Sequence, residues 1–364
     1  MKIPIFKLKF EKKLIKDFQK NLTKILNSNS ISDGSITRSF EKKFAKKNNS
    51  KFALAVSSGT SALQIAFEAI NIENYEVIVP TNTFFGTILP IIKARGIIKL
   101  CDSRNNSPEI SFEEIKSKVS KKTKAICVVH VGGIIHHEIM EIRNFCKKNK
   151  IYLVEDAAHA HFSQNKYNAG NFGDIGCFSF FPTKVMTTGE GGMIVTNNFL
   201  LYEKMKSLKN FGRSTDPLIL KNIGSNSKIS EFNSCLGLLE LNRVDSRIKK
   251  RNDLVQFYHS NLSRDKFEVL LQNEGTSCYY KCIVRTSIPY LRIKNNLNKN
   301  GVSLTGKVWE IPIHKQNILL KNNLIKNINF KNAENFTKEH FCLPNYPELQ
   351  FKEAEKICKL LNTL

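Results

Sequence analysis

The chain has no apolar run approaching the roughly 20 residues that a membrane-crossing helix needs. Its first residues, MKIPIFKLKFEKKLIKDFQ, break every short apolar stretch with lysine, so neither a signal peptide nor a membrane span is expected there. There is no CxxC pair. The nine cysteines are odd in number and scattered, Cys278 and Cys282 lying nearest each other, and no histidine cluster accompanies them. That pattern excludes a disulfide framework and a zinc site and leaves reduced thiols in a cytoplasmic protein as the simplest account. Internal repeats, low-complexity tracts and flexible linkers are also missing. Acidic residues are few: 32 Asp and Glu stand against 56 Lys and Arg, a net charge of +24. Such an excess raises the question of nucleic acid, yet the lysines are dispersed (Lys42, Lys43, Lys46, Lys47; Lys121, Lys122, Lys124; Lys249, Lys250) and form no stripe interleaved with aromatics. Neither a nucleic-acid nor a membrane partner is expected, whereas a positive surface draws in anionic small molecules.

What is present is enough to bury a large core: 364 residues, 41% of them hydrophobic, a length that suits two lobes. From Phe52 strands and helices alternate. Strands are expected at Phe52–Val56, Glu76–Val79, Ile97–Cys101, Ala125–His130, Ile151–Val154 and Ile175–Phe180, and helices at Ala62–Ile70, Ser111–Val119, His137–Lys150 and Leu200–Phe211. This alternation marks a mainly parallel sheet covered on both faces. A basic helix, Arg243–Leu262, leads to a less legible second lobe, with strands at Phe267–Leu271 and Tyr279–Arg285 and helices after Pro289 and at Phe351–Leu361. The expected division is 1–245 and 246–364.

The stretch from Ile151 to Thr196 carries the chemistry. A buried strand ends at two carboxylates, Glu155 and Asp156, and charge in that position needs a reason. Further on, Lys184 sits in a turn between apolar strands, beside Thr188-Gly189-Glu190-Gly191-Gly192, whose glycines let backbone approach a ligand. A lysine so placed suits covalent chemistry; an ordinary surface lysine is the plain alternative. At Ser57-Ser58-Gly59-Thr60-Ser61 small residues open a helix and leave free N–H groups at its positive end, the arrangement that holds a phosphate or simply caps a helix. No Cys or carboxylate array around His159 and His161 has metal-ligand spacing, so no metal is expected.

The ordered set Glu155-Asp156-Ala157-Ala158-His159-Ala160, Gly173-Asp174, Phe178-Ser179-Phe180, Lys184 and Thr188 to Gly192 resembles the DegT/DnrJ/EryC1/StrS sugar aminotransferases, pyridoxal-phosphate enzymes of the aspartate aminotransferase fold (fold type I). The resemblance spans about the whole chain, tight over 52–241 and loose after it. It implies an α/β large domain with a mainly parallel sheet and a smaller C-terminal α+β domain. It also implies that Lys184 bonds the cofactor and moves protons, Asp156 pairs with the pyridine nitrogen, and His159 lies beside the ring, a packed structural histidine being the competing reading. Thr60, Ser61 and Ser179 would hold the phosphate, and Phe84, after Pro80-Thr81-Asn82-Thr83, would stack on the ring. Asn226, in Gly224-Ser225-Asn226-Ser227-Lys228-Ile229-Ser230-Glu231, would reach the phosphate of a second subunit, making a homodimer with shared sites. The implied reaction moves an amino group from glutamate to a keto-deoxy sugar, nucleotide-linked or free, for surface polysaccharide. A related dehydratase, a lyase or decarboxylase, and a non-catalytic regulator are the alternatives; Lys184 speaks against the first and third. The chain departs from the family at His130-Val131-Gly132-Gly133, where His-x-Tyr-Gly-Gln is usual, and at Phe162, where glycine is usual.

Overall fold

The structure, a computed structural model, describes residues 2–216, 218–304, 306–326 and 328–364. Two helices, α1 (Lys12–Asn27) and α2 (Ser35–Asn48), precede β1 (Phe52–Val56) and α3 (Gly59–Ala69). The alternation continues through β2 (Glu76–Pro80), α4 (Phe85–Lys93), β3 (Ile97–Cys101), α5 (Phe112–Lys118), β4 (Thr123–Val129), α6 (Ile139–Asn149) and β5 (Tyr152–Asp156). After β6 (Ile175–Ser179) and β7 (Gly192–Thr196) come α7 (Phe199–Leu208), α8 (Glu231–Leu241) and the long α9 (Val244–Asn261). The remainder holds β8 (Glu268–Val269), β9 (Cys282–Arg285), α10 (Tyr290–Lys299), α11 (Asn317–Lys321), α12 (Lys331–Glu339), β10 (His340–Leu343) and α13 (Phe351–Asn362).

Seven strands form one sheet in the order β1-β7-β6-β5-β4-β2-β3. The pairs β6–β5, β5–β4, β4–β2 and β2–β3 are parallel, and β7 alone runs antiparallel to both its neighbours. Side chains alternate across it as the pleat requires. Ala53, Ala55, Ile78, Ile126, Val128 and Leu153 pack on one face with Phe40 and Phe44 of α2 and Ile142 of α6. Leu54, Val56, Val77, Val79, Ala125 and Cys127 pack on the other with Ala62, Ile65 and Ala66 of α3 and Met205 of α7. The sheet is therefore apolar on both sides, which is why its strands read as short continuous hydrophobic runs.

A second, antiparallel sheet, β10-β9-β8, has its own core with α9, α10 and α13, built on Leu254, Tyr258, Val284, Ile293, Phe341 and Ile357. The helix α9 joins the two: Val244 and Ile248 pack in the large core, Leu254 and Val255 in the small one. The chain from Ile313 to Ala333 leaves the small sheet and packs against Leu100 and Ile91 on the large one. Here His314 bonds the Thr81 hydroxyl at 2.6 Å and the Glu334 carboxylate at 3.0 Å.

Several local expectations shift. Glu155 and Asp156 are the last residues of β5 rather than the residues beyond it, and α8 begins at Glu231, where the Ser230 hydroxyl accepts from the Asn233 N–H and caps the helix. The strand β10 and the helices α11 and α12 have no counterpart in the sequence reading. Of these, β10 and α11 are too short for a pattern to show, whereas α12 buries Ala333, Phe336 and Thr337 at helical spacing.

Candidate active site

Five strands of the large sheet deliver residues to one cavity of about 350 Å³ at their ends, a size suited to a small ligand. Ser58, Gly59 and Thr60 follow β1; Thr83 and Phe84 follow β2; Val129 closes β4; Asp156 closes β5 and leads to Ala158 and His159; Ser179 closes β6 and leads to Phe181, Thr183 and Lys184. Ligands bind outside the carboxyl ends of strands in such sheets because the crossover loops gather there. Tyr280, Lys281, Val308 and Trp309 supply the facing wall from the C-terminal part.

The two carboxylates of β5 separate by role. Glu155 is fully buried and accepts from His130 Nε2 at 2.8 Å and from the Gly170 and Gly173 N–H groups at 2.7 and 2.6 Å, so its charge staples the loop after β5 to β4. Asp156, 6% exposed, borders the cavity with, among the described residues, only the Thr87 hydroxyl (2.7 Å) and the Ala158 N–H (3.1 Å) as donors. Burial raises its pKa, against the lowering effect of those donors and of Lys184. Lys184 is the mirror case: burial depresses its amine, while Tyr280 and Asp156 act to raise it. Its Nζ lies 4.5 Å from the centroid of the Tyr280 ring. An acid short of a cation and an amine short of an anion thus share one cavity, each facing room for a ligand.

At the other end, α3 begins with its first N–H groups toward the cavity. The Ser58 hydroxyl caps the helix through the Ser61 N–H at 3.0 Å. Gly59 lies so close to Ser179 that a Cβ on it would stand 2.7 Å from the Ser179 Cβ. With Thr60 these residues form a cradle of neutral donors at a helix N-terminus, which suits a phosphate. The Ser61 hydroxyl is turned to Ser57 (3.0 Å) and Ser58 (2.9 Å), and Ser61 does not line the cavity. Phe84 is half exposed at the rim, its ring 3.8 Å from that of Phe85. His159 lies against Tyr280, ring centroids 4.5 Å apart, and its Nδ1 accepts from the Gly132 N–H at 3.3 Å. Burial and the nearby Lys184 and Lys281 hold its pKa well below the usual histidine value, so the ring is neutral. Asn226 is not at this cavity within the chain; its side chain accepts from Lys228 Nζ at 2.6 Å.

Sequence reasoning passed over Thr87, Tyr280, Lys281 and Trp309. Thr87 lies inside α4, and the other three come from the C-terminal part; Trp309 opens a segment, Trp309 to Gln316, that echoes the family's C-terminal pattern, but no site role follows from it, and no motif marks Thr87, Tyr280 or Lys281. The Gly132-Gly133 turn, in which Gly132 stands where the family pattern has Tyr, packs closely on the C-terminal part: a Cβ on Gly132 would stand 2.7 Å from Ile283 Cδ1. Both residues are left-handed (φ 67° and 98°), and a Cβ on Gly133 would stand 2.8 Å from Cys278 Sγ and 3.0 Å from the Tyr279 N. A larger residue there would push away the segment that carries Tyr280 and Lys281.

An activatable lysine and a buried carboxylate in one cavity, at the strand ends of this sheet, define the class: a pyridoxal-phosphate aminotransferase of fold type I. The structure superposes on that of the aminotransferase from Psychrobacter cryohalolentis with a TM-score of 0.89 at 25% identity, covering 98% of this chain and 97% of that one. In sequence it is 29% identical over 363 residues to GDP-perosamine synthase of Vibrio cholerae (97% of each chain). It is 31% identical over 340 residues to the enzyme of that name from Escherichia coli O157:H7 (91% and 90%). The DegT/DnrJ/EryC1/StrS aminotransferase family model matches residues 12–362, and the chain belongs to that family.

The residues present fit the cofactor. Asp156 has no cationic partner within ion-pair distance among the described residues, as a carboxylate meant for a protonated ring nitrogen should not. The Gly59–Ser179 approach leaves a cradle that a Cβ would fill.

Proposed function

We propose that this chain moves an amino group from glutamate to a keto-deoxy sugar carried on a nucleotide, for surface polysaccharide, in a cytoplasmic homodimer. The observation that carries the reading is the shared cavity of Lys184 and Asp156 with the α3 N-terminus on its wall. Pyridoxal phosphate, when bound, supplies a carbon that exchanges amino groups and a ring that withdraws electrons from it. Asp156 would hold the proton on the ring nitrogen, its ionised form steadied by the Thr87 hydroxyl and the Ala158 N–H. Ser58, Gly59, Thr60 and Ser179 would take the phosphate, and Phe84 and His159 would cover the ring. Lys184 would hold the cofactor and then, freed by the donor amine, move a proton at the substrate carbon; its depressed pKa leaves a fraction of the amine neutral for that purpose. A dehydratase or a non-catalytic regulator is disfavoured by Lys184 itself.

Support for the dimer comes from the arm between Phe211 and Gly224. Leu218 and Ile223 are 91% and 97% exposed there, beside exposed Ile219 and Leu220, an apolar tip suited to burial against a second copy. Asn226 and Ser61 stay in the proposal as a contact across that interface and as a residue that orders the cradle. The cytoplasmic assignment rests on nine cysteines, all buried and scattered along the chain without a CxxC pair. The division at 245/246 is likewise proposed: two sheets with two cores support it, with Ile313–Ala333 reaching back to the large sheet.

The test is spectroscopic and chemical. Purified protein with pyridoxal phosphate should show a visible cofactor band that borohydride and Lys184→Ala both remove and that glutamate bleaches. A panel of nucleotide keto sugars with nitrogen-labelled glutamate should then give one labelled amino sugar by mass spectrometry. A protein that binds the cofactor through Lys184 yet labels no sugar would overturn the assignment.

A further inference from the structure

The cavity carries a cation for which the cofactor has no use. Lys281 lines it from the wall opposite the large sheet, held by its own N–H on the Gly132 carbonyl at 3.0 Å. Its Nζ is 5.1 Å from the Tyr280 ring centroid, and that ring also has Lys184 Nζ at 4.5 Å. Two lysine side chains therefore share one aromatic ring, while the Tyr280 hydroxyl is engaged with Thr183 at 2.9 Å. The remaining neighbours on this wall, Val308 and Trp309, are uncharged. Among the described residues no carboxylate stands within ion-pair distance of Lys281, although many of the chain's other buried or half-buried lysines have one, such as Lys209 with Asp33 and Glu41, or Lys99 with Glu76. Asp156 at the floor already answers to Lys184 and the ring nitrogen, and Glu190 is exposed beside the phosphate cradle.

A half-buried cation with aromatic walls and no counter-ion is a binding site for an anionic group brought by a ligand. We propose that Lys281 is the anion anchor of the substrate subsite, taking a carboxylate or phosphate oxygen of the molecule that approaches Lys184 from the C-terminal wall. This deepens, and rests on, the sugar aminotransferase reading. Two substrates of that reaction bring such a group: the amino donor its carboxylates, the nucleotide sugar its diphosphate. The tight Gly132-Gly133 turn is part of the same device, because it lets the Tyr280-Lys281 segment lie against the loop after β4.

The experiment uses the holoenzyme and its Lys281→Met and Lys281→Arg variants. One arm follows bleaching of the cofactor band by glutamate in single turnover, separating the apparent dissociation constant from the limiting rate. The other measures binding of GDP and of UDP by calorimetry at low and high salt, which reads the site without turnover. Lys281→Met should weaken one arm about tenfold or more and leave its limiting rate nearly unchanged, with Lys281→Arg recovering most of the loss and added salt shrinking the difference. The arm that moves names the source of the anion. Equal affinities in both arms for wild type and Lys281→Met would overturn the proposal. So would a change confined to the limiting rate or its pH dependence, which would mean that Lys281 acts only by repelling the Lys184 proton. If the wild type shows no borohydride-sensitive band, it is the aminotransferase reading that fails, and calorimetry still tests the anion site.

Discussion

Thr87→Val isolates the acid at the cavity floor. The substitution keeps the shape of the side chain and removes one hydroxyl, which donates to Asp156 Oδ2 at 2.7 Å and lies 2.7 Å from the Thr83 hydroxyl. Thr87 is fully buried on α4, so bulk water does not replace the lost donor. A hydrogen bond to a charged group contributes about 1.5–3 kcal/mol, which at about 1.4 kcal/mol per pH unit moves the Asp156 pKa up by about 1–2 units. In the proposed function Asp156 is ionised to hold the ring-nitrogen proton, so the acid limb of the half-reaction with the proposed donor, glutamate, should move to higher pH by about one unit or more. Stability should respond with its own sign. The folded pKa of Asp156 is already raised above the ordinary carboxylate value, so its favourable contribution exists at low pH and is lost as pH rises through the folded pKa. The cofactor-free variant should therefore be less stable than wild type near pH 8 by roughly that hydrogen-bond energy, with a much smaller difference near pH 4. Stopped-flow absorbance across pH and urea unfolding at the two pH values make the measurements. Coincident acid limbs for wild type and Thr87→Val would refute the reasoning, and Thr83→Val, one bond further away, should give a smaller shift.

Other perturbations follow from the same structure. Lys184→Met should abolish cofactor attachment yet stabilise the cofactor-free protein by about 1 kcal/mol at pH 7. The folded pKa of Lys184 is depressed, so stability is lost as pH falls below the ordinary lysine value, and the gain on substitution should vanish near pH 11 in thermal melts. Glu155→Gln removes a charge that holds three donors and should destabilise by about 3 kcal/mol or more, read as a lower urea midpoint. Gly212→Ala meets both a left-handed backbone (φ 83°) and overlap of its Cβ with the Asn222 carbonyl. It should distort the Phe211–Gly224 arm and raise the dissociation constant of the proposed dimer in sedimentation experiments, with the fold of the large sheet retained by circular dichroism.

Legibility followed the range of the interactions. The strand Phe52–Val56 was readable to the residue because both faces of the large sheet are buried there, and an uninterrupted apolar run of strand length has few other uses. Lys184 and Asp156 were readable because glycines and a charge at a strand end are local departures from packing. Ser61 was misleading in isolation, since a hydroxyl at the start of a helix can serve the helix or a ligand, and here it bonds Ser57 and Ser58. Phe162 was readable as an anomaly, and the structure supplies the reason it is tolerated. It keeps a left-handed backbone (φ 57°) that favours glycine, with its ring packed 5.0 Å from that of Phe44 and under Lys47.

By itself the sequence determined the alternating α/β framework and singled out Lys184 and Asp156 as candidates, because each is written in neighbouring residues whose pattern a single strand or turn explains. Only the tertiary structure decided that Thr87 would steady Asp156 from 69 positions away and that Glu155 would be a staple rather than a second catalytic acid. It also decided that Tyr280, Lys281 and Trp309 would close the cavity from the C-terminal part. Electrostatics in a buried cleft depends on distance and exclusion of water, and neither is a property of sequence separation.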